Sequence, residues 1–428
     1  MKISDLEGKQ IIIFGFGREG QSTLEVLEKK LPGAKIIVTD ENDMADKTVR
    51  PDQNVRFVSV DQAIEMTNDN TVVIKSPGIS PHQPAVTAFK TRCSLITSAT
   101  NLFFGERKNN GTIIGVTGTK GKSTTASLLA HTLKTGGLPA ILVGNIGVPM
   151  LSAVDAPDDS IFVIELSSYM LADLEIGPDI AIFLNLYEEH MDWHGSVSDY
   201  HEAKWNIAAK QSPGDLLIYN ETSPELVSLV MTAPARQIPF QKIDDPLLDN
   251  LKIKGEHNRE NACAVLLVAE LLGVTDEKIV EAFSTFKPLP HRLEEITTIG
   301  GVLYVNDSIS TTPQSALAAL GVYGAKGGAI LLGGKDRGYD FSELAMTLKD
   351  LPDLRPLILP GGDKIAEVLK HADVNFETMV SLDSAVEWCH QNLKASQVCL
   401  LSPASPSYGY FKNFEERGDK FRARILSL

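Results

Sequence analysis

The sharpest chemical signature in this 428-residue chain is GVTGTKGKSTT, from Gly115 to Thr125. It follows the apolar run Thr112–Val116 and opens a helical pattern with Leu128, Leu129 and Leu133 on one side. A strand, a glycine loop, Lys-Ser and a helix is the arrangement that cradles nucleotide phosphates. Successive amides across Gly118, Thr119, Lys120, Gly121 and Thr124 face the oxygens. Lys122 reaches the β/γ-phosphates, and the Ser123 hydroxyl suits Mg²⁺. The loop departs from the strict P-loop pattern, because Val116 stands five residues before Gly121. An ordinary glycine turn has no use for Gly-Lys-Ser at a helix start.

Two further groups follow in chain order. The run Ile161–Leu166 delivers Glu165 near its end, with Ser167 and Ser168 beyond it. The run Ile180–Leu186 delivers Glu188, Glu189, His190 and Asp192. Open parallel sheets place ligands at the C-terminal ends of their strands, where a carboxylate and a histidine could hold the Mg²⁺ of a bound nucleotide. Each alone reads as a solvated side chain; their order after a phosphate loop gives them purpose.

A second glycine loop, GFGREG from Gly15 to Gly20, follows the run Ile11–Phe14, and Asp40 ends the next apolar run. In a Rossmann unit such glycines allow a tight turn against a phosphate while the acid contacts a ribose. Nothing in the loop specifies nicotinamide, since a UDP group would use the same amides.

These residues require parallel sheets to hold them. Short apolar runs alternate with helical patterns in three series, a βαβ signature of α/β class. The first holds Ile11–Phe14, Lys35–Val38, Val55–Val58 and Thr71–Ile74. The second holds Thr112–Val116, Ile141–Val143, Ile161–Leu166, Ile180–Leu186 and Leu216–Tyr219. The third holds Val302–Val305, Ala329–Leu332, Pro356–Leu359 and Gln397–Leu401. The length agrees, at about 150 residues per domain. Polar Phe104–Gly111 reads as a first linker, and Pro288 and Pro290 mark the second boundary. The expected domains are 1–104, 105–288 and 289–428.

Composition narrows the partners. A formal net charge of −15 disfavours nucleic acid and anionic lipid surfaces. Four scattered cysteines without C-x-x-C spacing fit reduced thiols, and no apolar run is long enough for a membrane span. A soluble cytoplasmic protein is expected, with no nucleic-acid partner and no membrane insertion.

GVTGTKGKSTT, ELSS, LNLYEEHMDWHG and YHEAKWNI together resemble the Mur ligase family of cell-wall peptide synthetases. GEHNRENACAV, KPLPHRLE, YVNDSISTTP, LLGGKDRGYDFSEL and SPASPSYGYFKNFEERGDKF extend the resemblance over nearly the whole chain. Folylpolyglutamate synthases share the central and C-terminal plan but lack the first domain. The resemblance implies a three-domain architecture: a Rossmann-like N-terminal domain for a UDP-substrate, a P-loop ATPase domain, and a Rossmann-like C-terminal domain that closes over the site. It implies ATP-driven amide formation through an acyl phosphate, with UDP-N-acetylmuramoyl-L-alanine and glutamate as substrates and a monomeric enzyme.

Site residues carry over position by position. Lys122 and Ser123 match the phosphate-loop pair, and Glu165 and His190 the magnesium positions. Lys204 in EAKWN matches a lysine that the family carboxylates with CO₂, which turns a cation into an anion able to position Mg²⁺. Read without the resemblance, it is a helix-surface lysine. Asn258 and Asn261 match adenine-side positions, and Arg292 and Asp307 match nucleotide contacts. Arg18, Glu19, Asp40, Gly78 and Asn145 match the UDP-substrate side. Thr311, Arg337, Ser407 and Phe414 match the glutamate side.

Departures cluster at that last end. Glutamate-adding members usually read N-D-S-K-A-T where this chain reads NDSIST, so Ile309 replaces a lysine. Arg337 replaces another lysine, a change of reach and geometry. Met170 stands where glutamine is usual, and Tyr408-Gly409-Tyr410 is unusual. The changes resemble a branch that adds L-glutamate; D-glutamate is the favoured reading. Two readings of other classes compete. A nicotinamide oxidoreductase rests on GFGREG and Asp40 alone and leaves the phosphate loop idle. A non-catalytic P-loop regulator leaves Lys204, Arg292 and Asp307 without a task.

Overall fold

The computed structural model describes residues 1–41, 54–187, 189 and 191–428. It is α/β, with three sheets. In the first, β1 (Gln10–Phe14), β2 (Lys35–Thr39), β3 (Val55–Phe57), β4 (Thr71–Lys75) and β5 (Leu95–Thr97) are ordered β3-β2-β1-β4-β5. The second contains β6 (Thr112–Thr117), β7 (Ala140–Gly144), β8 (Ile161–Glu165), β9 (Ile180–Phe183), β10 (Leu216–Asn220) and β11 (Arg236–Phe240), ordered β11-β10-β9-β6-β8-β7. Their recorded pairings are parallel. Helices cover both faces of such sheets, so inner strands read as unbroken apolar runs; all five residues of β8 are buried.

The third sheet holds β12 (Glu294–Ile299), β13 (Val302–Asn306), β14 (Gly328–Leu332), β15 (Leu354–Ile358), β16 (Glu377–Thr378) and β17 (Val398–Leu401), ordered β12-β13-β17-β14-β15-β16. Only β12 is antiparallel among the recorded pairings, joined to β13 through Gly300 and Gly301 at φ 58° and 82°. Four of these strands escape the sequence reading. β5, β12 and β16 are short or half-exposed, and β11 carries Pro239, which lacks the N–H that an inner strand needs.

The chain forms two compact units: Met1–Asn250 with Glu260–Ser284, and Leu251–Arg259 with Thr285–Leu428. The first two sheets therefore share a unit, and one apolar cluster runs from Ile11, Ile13 and Ile74 through Leu102, Phe103 and Phe104 to Phe162, Ile164 and Phe183. Here the linker reading fails. Phe104–Arg107 continues the helix Ala99–Arg107 and is largely buried. Phe103 meets the Phe162 ring edge-on at 5.1 Å, and buried Arg107 donates to the carbonyls of Ala156 and Pro157. Polar composition misled because Arg107 spends its charge on carbonyls rather than on water. Pro288 and Pro290 lie between the helix Asp276–Thr285 and β12. Among the described residues no helix is long and apolar enough to cross a membrane.

Candidate active site

The glycine loop lies between β6 and the helix Lys122–Thr135. Gly121 caps that helix at φ 86°, and a Cβ there would sit 2.6 Å from Asn261 Oδ1, so glycine is demanded by conformation and by space. Thr119 is pinned from below: its Oγ1 accepts from the Tyr187 N–H at 2.9 Å and bonds the Tyr200 hydroxyl at 2.9 Å. Lys120 N donates to Asn185 Oδ1 at 2.8 Å, and its ammonium pairs with Glu189 at 2.6 Å. Ser123 is buried at the helix start. Lys122 folds over the loop and donates to the carbonyls of Gly118 and Thr119 at 2.9 and 3.0 Å.

Lys204 projects from the helix Val197–Ala209 to the same place, donating to the Gly118 carbonyl at 2.8 Å. It is 2% exposed, so the surface-lysine reading is wrong. Its helix packs against the second sheet with Tyr200, Ala203 and Ile207 buried beside it. Burial, and then the neighbouring Lys122 charge, hold its amine well below the usual lysine range.

Glu165 ends β8, 1% exposed. One carboxylate oxygen accepts from Asn145 Nδ2 at 3.1 Å, and the other, Oε2, is buried with no hydrogen-bond partner. A buried carboxylate oxygen without a donor suits a hard cation, so Glu165 fits one ligand position for Mg²⁺. Among the described residues no group of three or more His, Cys, Asp or Glu side chains gathers. His190 lies outside the described residues.

All five UDP-side candidates, Arg18, Glu19, Asp40, Gly78 and Asn145, line one cavity of about 510 Å³. It lies at the switch point of the first sheet, between the loops after β1 and β4. A Cβ on Gly15 would stand 2.7 Å from Ser76, whose Oγ donates to the Gly15 carbonyl at 2.8 Å. The Phe16 N–H donates to Asp40 Oδ2 at 2.5 Å, and Arg18 Nη2 donates to the Gly144 carbonyl at 2.8 Å. Burial raises the Glu19 carboxyl, opposed by the Arg18 charge.

Tyr169 and Met170 line this cavity too. The Tyr169 ring lies against Trp193 at 4.6 Å, tilted by 33°, and Trp193 Nε1 donates to the Gly78 carbonyl at 3.0 Å. Ser80 Oγ returns a bond to the Trp193 carbonyl at 2.8 Å. The segment after His190 is thus tied to the KSPGIS loop. Sequence reading missed Tyr169 and Trp193; their aromatic type beside ELSS and EEHMD was the available signal.

In the second unit, Asn258 is buried and donates to the Lys254 carbonyl at 2.7 Å. Arg292 is flanked by His291 and Leu293, both at positive φ (63° and 46°), a left-handed backbone that non-glycine residues seldom adopt outside functional turns. The Leu293 N–H and Ser402 hydroxyl donate to the two oxygens of Asp307 at 3.1 and 2.8 Å. Burial pushes the Asp307 carboxyl up to about 7 against these bonds. Ser407 lines a second cavity with Gly333, Gly334 and Arg417. Arg337 lies over the Tyr408 ring at 5.8 Å, Phe414 opens the helix Phe414–Leu426, and Thr311 precedes the Thr312 cap of the helix Pro313–Tyr323. Arg417 was not singled out from the sequence.

A model of the Mur ligase middle domain matches residues 116–246. The chain is 35% identical to a Xanthomonas campestris protein named UDP-N-acetylmuramoyl-L-alanine–L-glutamate ligase, over 98% of this chain and 96% of that one. It is 32% identical to UDP-N-acetylmuramoylalanine–D-glutamate ligase of Streptococcus agalactiae, over 100% of this chain and 99% of that one. Its fold matches the MurF ligase of Thermotoga maritima, solved with ADP, with a TM-score of 0.61 over 98% and 96% of the two chains at 16% identity.

Proposed function

Because the chain belongs to the Mur ligase family, we propose that it is an ATP-consuming ligase joining glutamate to UDP-N-acetylmuramoyl-L-alanine in peptidoglycan precursor synthesis. The carboxylate of the UDP-substrate attacks the γ-phosphorus of ATP, and ADP leaves. The glutamate amine then attacks the acyl carbon, phosphate leaves with the bonding pair, and the new amide sheds a proton. Phosphorylation is needed because a carboxylate is anionic and lacks a leaving group.

The observation that carries this reading is the Asn145–Glu165 hydrogen bond. It joins the cavity lined by Arg18, Glu19, Asp40 and Gly78 to the carboxylate beside the phosphate loop, as a reaction between a UDP-linked acid and ATP requires. In this reading the loop amides and Lys122 hold the phosphates and offset charge during transfer. Asn258, Asn261, Arg292 and Asp307 serve the nucleotide; Thr311, Arg337, Ser407 and Phe414 serve glutamate. Ser123, Glu165, His190 and carboxylated Lys204 would hold Mg²⁺, whose chemistry is to neutralise phosphate charge. Residues 1–104 take the UDP-substrate role, 105–288 the ATP role, and 289–428 the glutamate role with part of the ATP site. The enzyme acts as a cytoplasmic monomer.

The hand of glutamate is a finer matter. Sequence reading favours D-glutamate. Relatives at 33–35% identity carry the L-glutamate name and those at 31–32% the D-glutamate name, and Ile309 and Arg337 depart from the usual amino-acid contacts. These observations move our reading to L-glutamate. Phosphate release from ATP with UDP-N-acetylmuramoyl-L-alanine and each glutamate separately decides it. L-selective turnover is expected; D-selective turnover reverses the hand, and turnover with neither rejects the ligase. Lys122→Ala should abolish turnover while sparing UDP-substrate binding.

A further inference from the structure

Arg417 is the largest side chain that the described part of the protein buries completely, at 1% exposure. Its recorded hydrogen bonds all go to uncharged oxygens. Nε donates to Ser308 Oγ at 3.0 Å, Nη2 to the Ser308 carbonyl at 2.8 Å, and Nη1 to the carbonyls of Ser405 and Gly333 at 3.1 and 3.4 Å. Ser308 Oγ passes a bond on to the Phe414 carbonyl at 2.8 Å. One guanidinium therefore ties together the segments that follow β13, β14 and β17.

Those segments are pressed backbone to backbone. Gly333 N donates to the Pro403 carbonyl at 2.9 Å and Lys335 N to the Pro406 carbonyl at 2.8 Å. A Cβ on Gly334 would lie 2.2 Å from the Pro406 carbonyl. Beside this junction opens a cavity of about 270 Å³, lined by Gly333, Gly334, Ser407, Arg417 and Lys420 among others. Lys420 is paired with Glu416 at 2.8 Å, and Asp383, also on the lining, is exposed.

Burying an ion is costly, and a neutral donor could tie carbonyls together more cheaply. The charge itself therefore calls for a use. Burial lowers the guanidinium to about 9 against the opposing pull of the Asp307 carboxylate, which leaves it charged at neutral pH. Loops at the C-terminal ends of strands, at the switch point between β14 and β17, are where a doubly wound sheet receives a ligand.

We propose that Arg417 is the positioning residue of the amino-acid site: it braces the segments carrying Thr311, Arg337 and Ser407, and its charge, on the lining of the adjoining cavity, favours a glutamate carboxylate there. This rests on the ligase reading. It predicts a selective loss. In Arg417→Met the KM for glutamate should rise about tenfold or more, because a buried charge that serves a partner is missed most when truncated. The KM values for ATP and UDP-N-acetylmuramoyl-L-alanine should stay within about twofold, and kcat at saturating glutamate should change little.

Arg417→Lys should recover part of the glutamate affinity. Ser308→Ala, which removes the hydroxyl link but keeps the cation, should retain the preference for glutamate over glutamine that Arg417→Met loses. Three KM values rising together, or an unmoved glutamate KM beside a lowered melting temperature, would overturn the proposal and leave Arg417 a brace only. If Arg417→Met does not fold, the pair Arg417→Lys and Ser308→Ala decides: a glutamate KM raised in neither overturns it. Wild-type turnover is the control. Its absence rejects the ligase reading itself, whereas normal turnover with unmoved variants rejects only the role of Arg417.

Discussion

Lys122 and Lys204 deliver their amines to one carbonyl oxygen, that of Gly118, at 2.9 and 2.8 Å. Burial first, and then repulsion by the neighbouring Lys122 ammonium, lower the proton affinity of Lys204. An amine that sheds its proton readily is a nucleophile toward CO₂, and the resulting carbamate would face Lys122 as an anion. On such a modification the electrostatic conflict would disappear.

Lys204→Ala should therefore lower turnover by roughly a hundredfold or more, with partial rescue by added acetate. Incubation of the wild type with ¹³CO₂ should give a carbamate carbon signal that Lys204→Ala lacks. An active Lys204→Arg variant with no such signal in the wild type would sink the idea.

Glu165 makes a separate prediction from its unpartnered Oε2. Glu165→Gln keeps the shape and the bond to Asn145 but removes the charge. The Mg²⁺ concentration for half-maximal turnover should rise about tenfold or more. The melting temperature measured without Mg²⁺ should hold or increase, since a buried charge is relieved. An unchanged Mg²⁺ titration would remove Glu165 from the metal site.

Trp193 tests the tie between the UDP-side loop and the segment after His190. Trp193→Phe keeps the ring contact with Tyr169 but leaves the Gly78 carbonyl without its indole donor. One neutral hydrogen bond is worth about 0.5–1.5 kcal/mol, or roughly a two- to tenfold rise in the UDP-substrate KM. Steady-state kinetics check this, and the glutamate KM should not move with it.

Asp307 predicts a pH dependence of stability in the second unit. Its folded value of about 7 lies above an unfolded value of about 3.9, so the fold favours the protonated form. Its stabilising contribution is complete below about 3.9, is lost as pH rises toward about 7, and is level beyond. Asp307→Asn should flatten the loss of stability between about pH 4 and 7, measured by urea unfolding across that range. A variant that keeps the wild-type slope would show that other groups set it.

The phosphate loop and Glu165 were legible in the sequence because their chemistry is local. Gly118, Gly121, Lys122 and Ser123 sit within six consecutive residues, and an unbroken apolar run announces the strand that delivers Glu165. The α/β class was legible for the same reason, apart from edge strands such as β11 and β12 whose patterns are weak. What only the tertiary structure decided are meetings between distant segments. Lys204 lies 86 residues from the carbonyl it reaches, and Arg417 lies 109 residues from Ser308. A lysine on a helix and an arginine in a polar C-terminal stretch look solvated when read alone. Burial against the second and third sheets removes their water, and with it the ordinary behaviour of their charges. Strand order governs such partners, because parallel crossovers bring loops together that the chain itself keeps far apart.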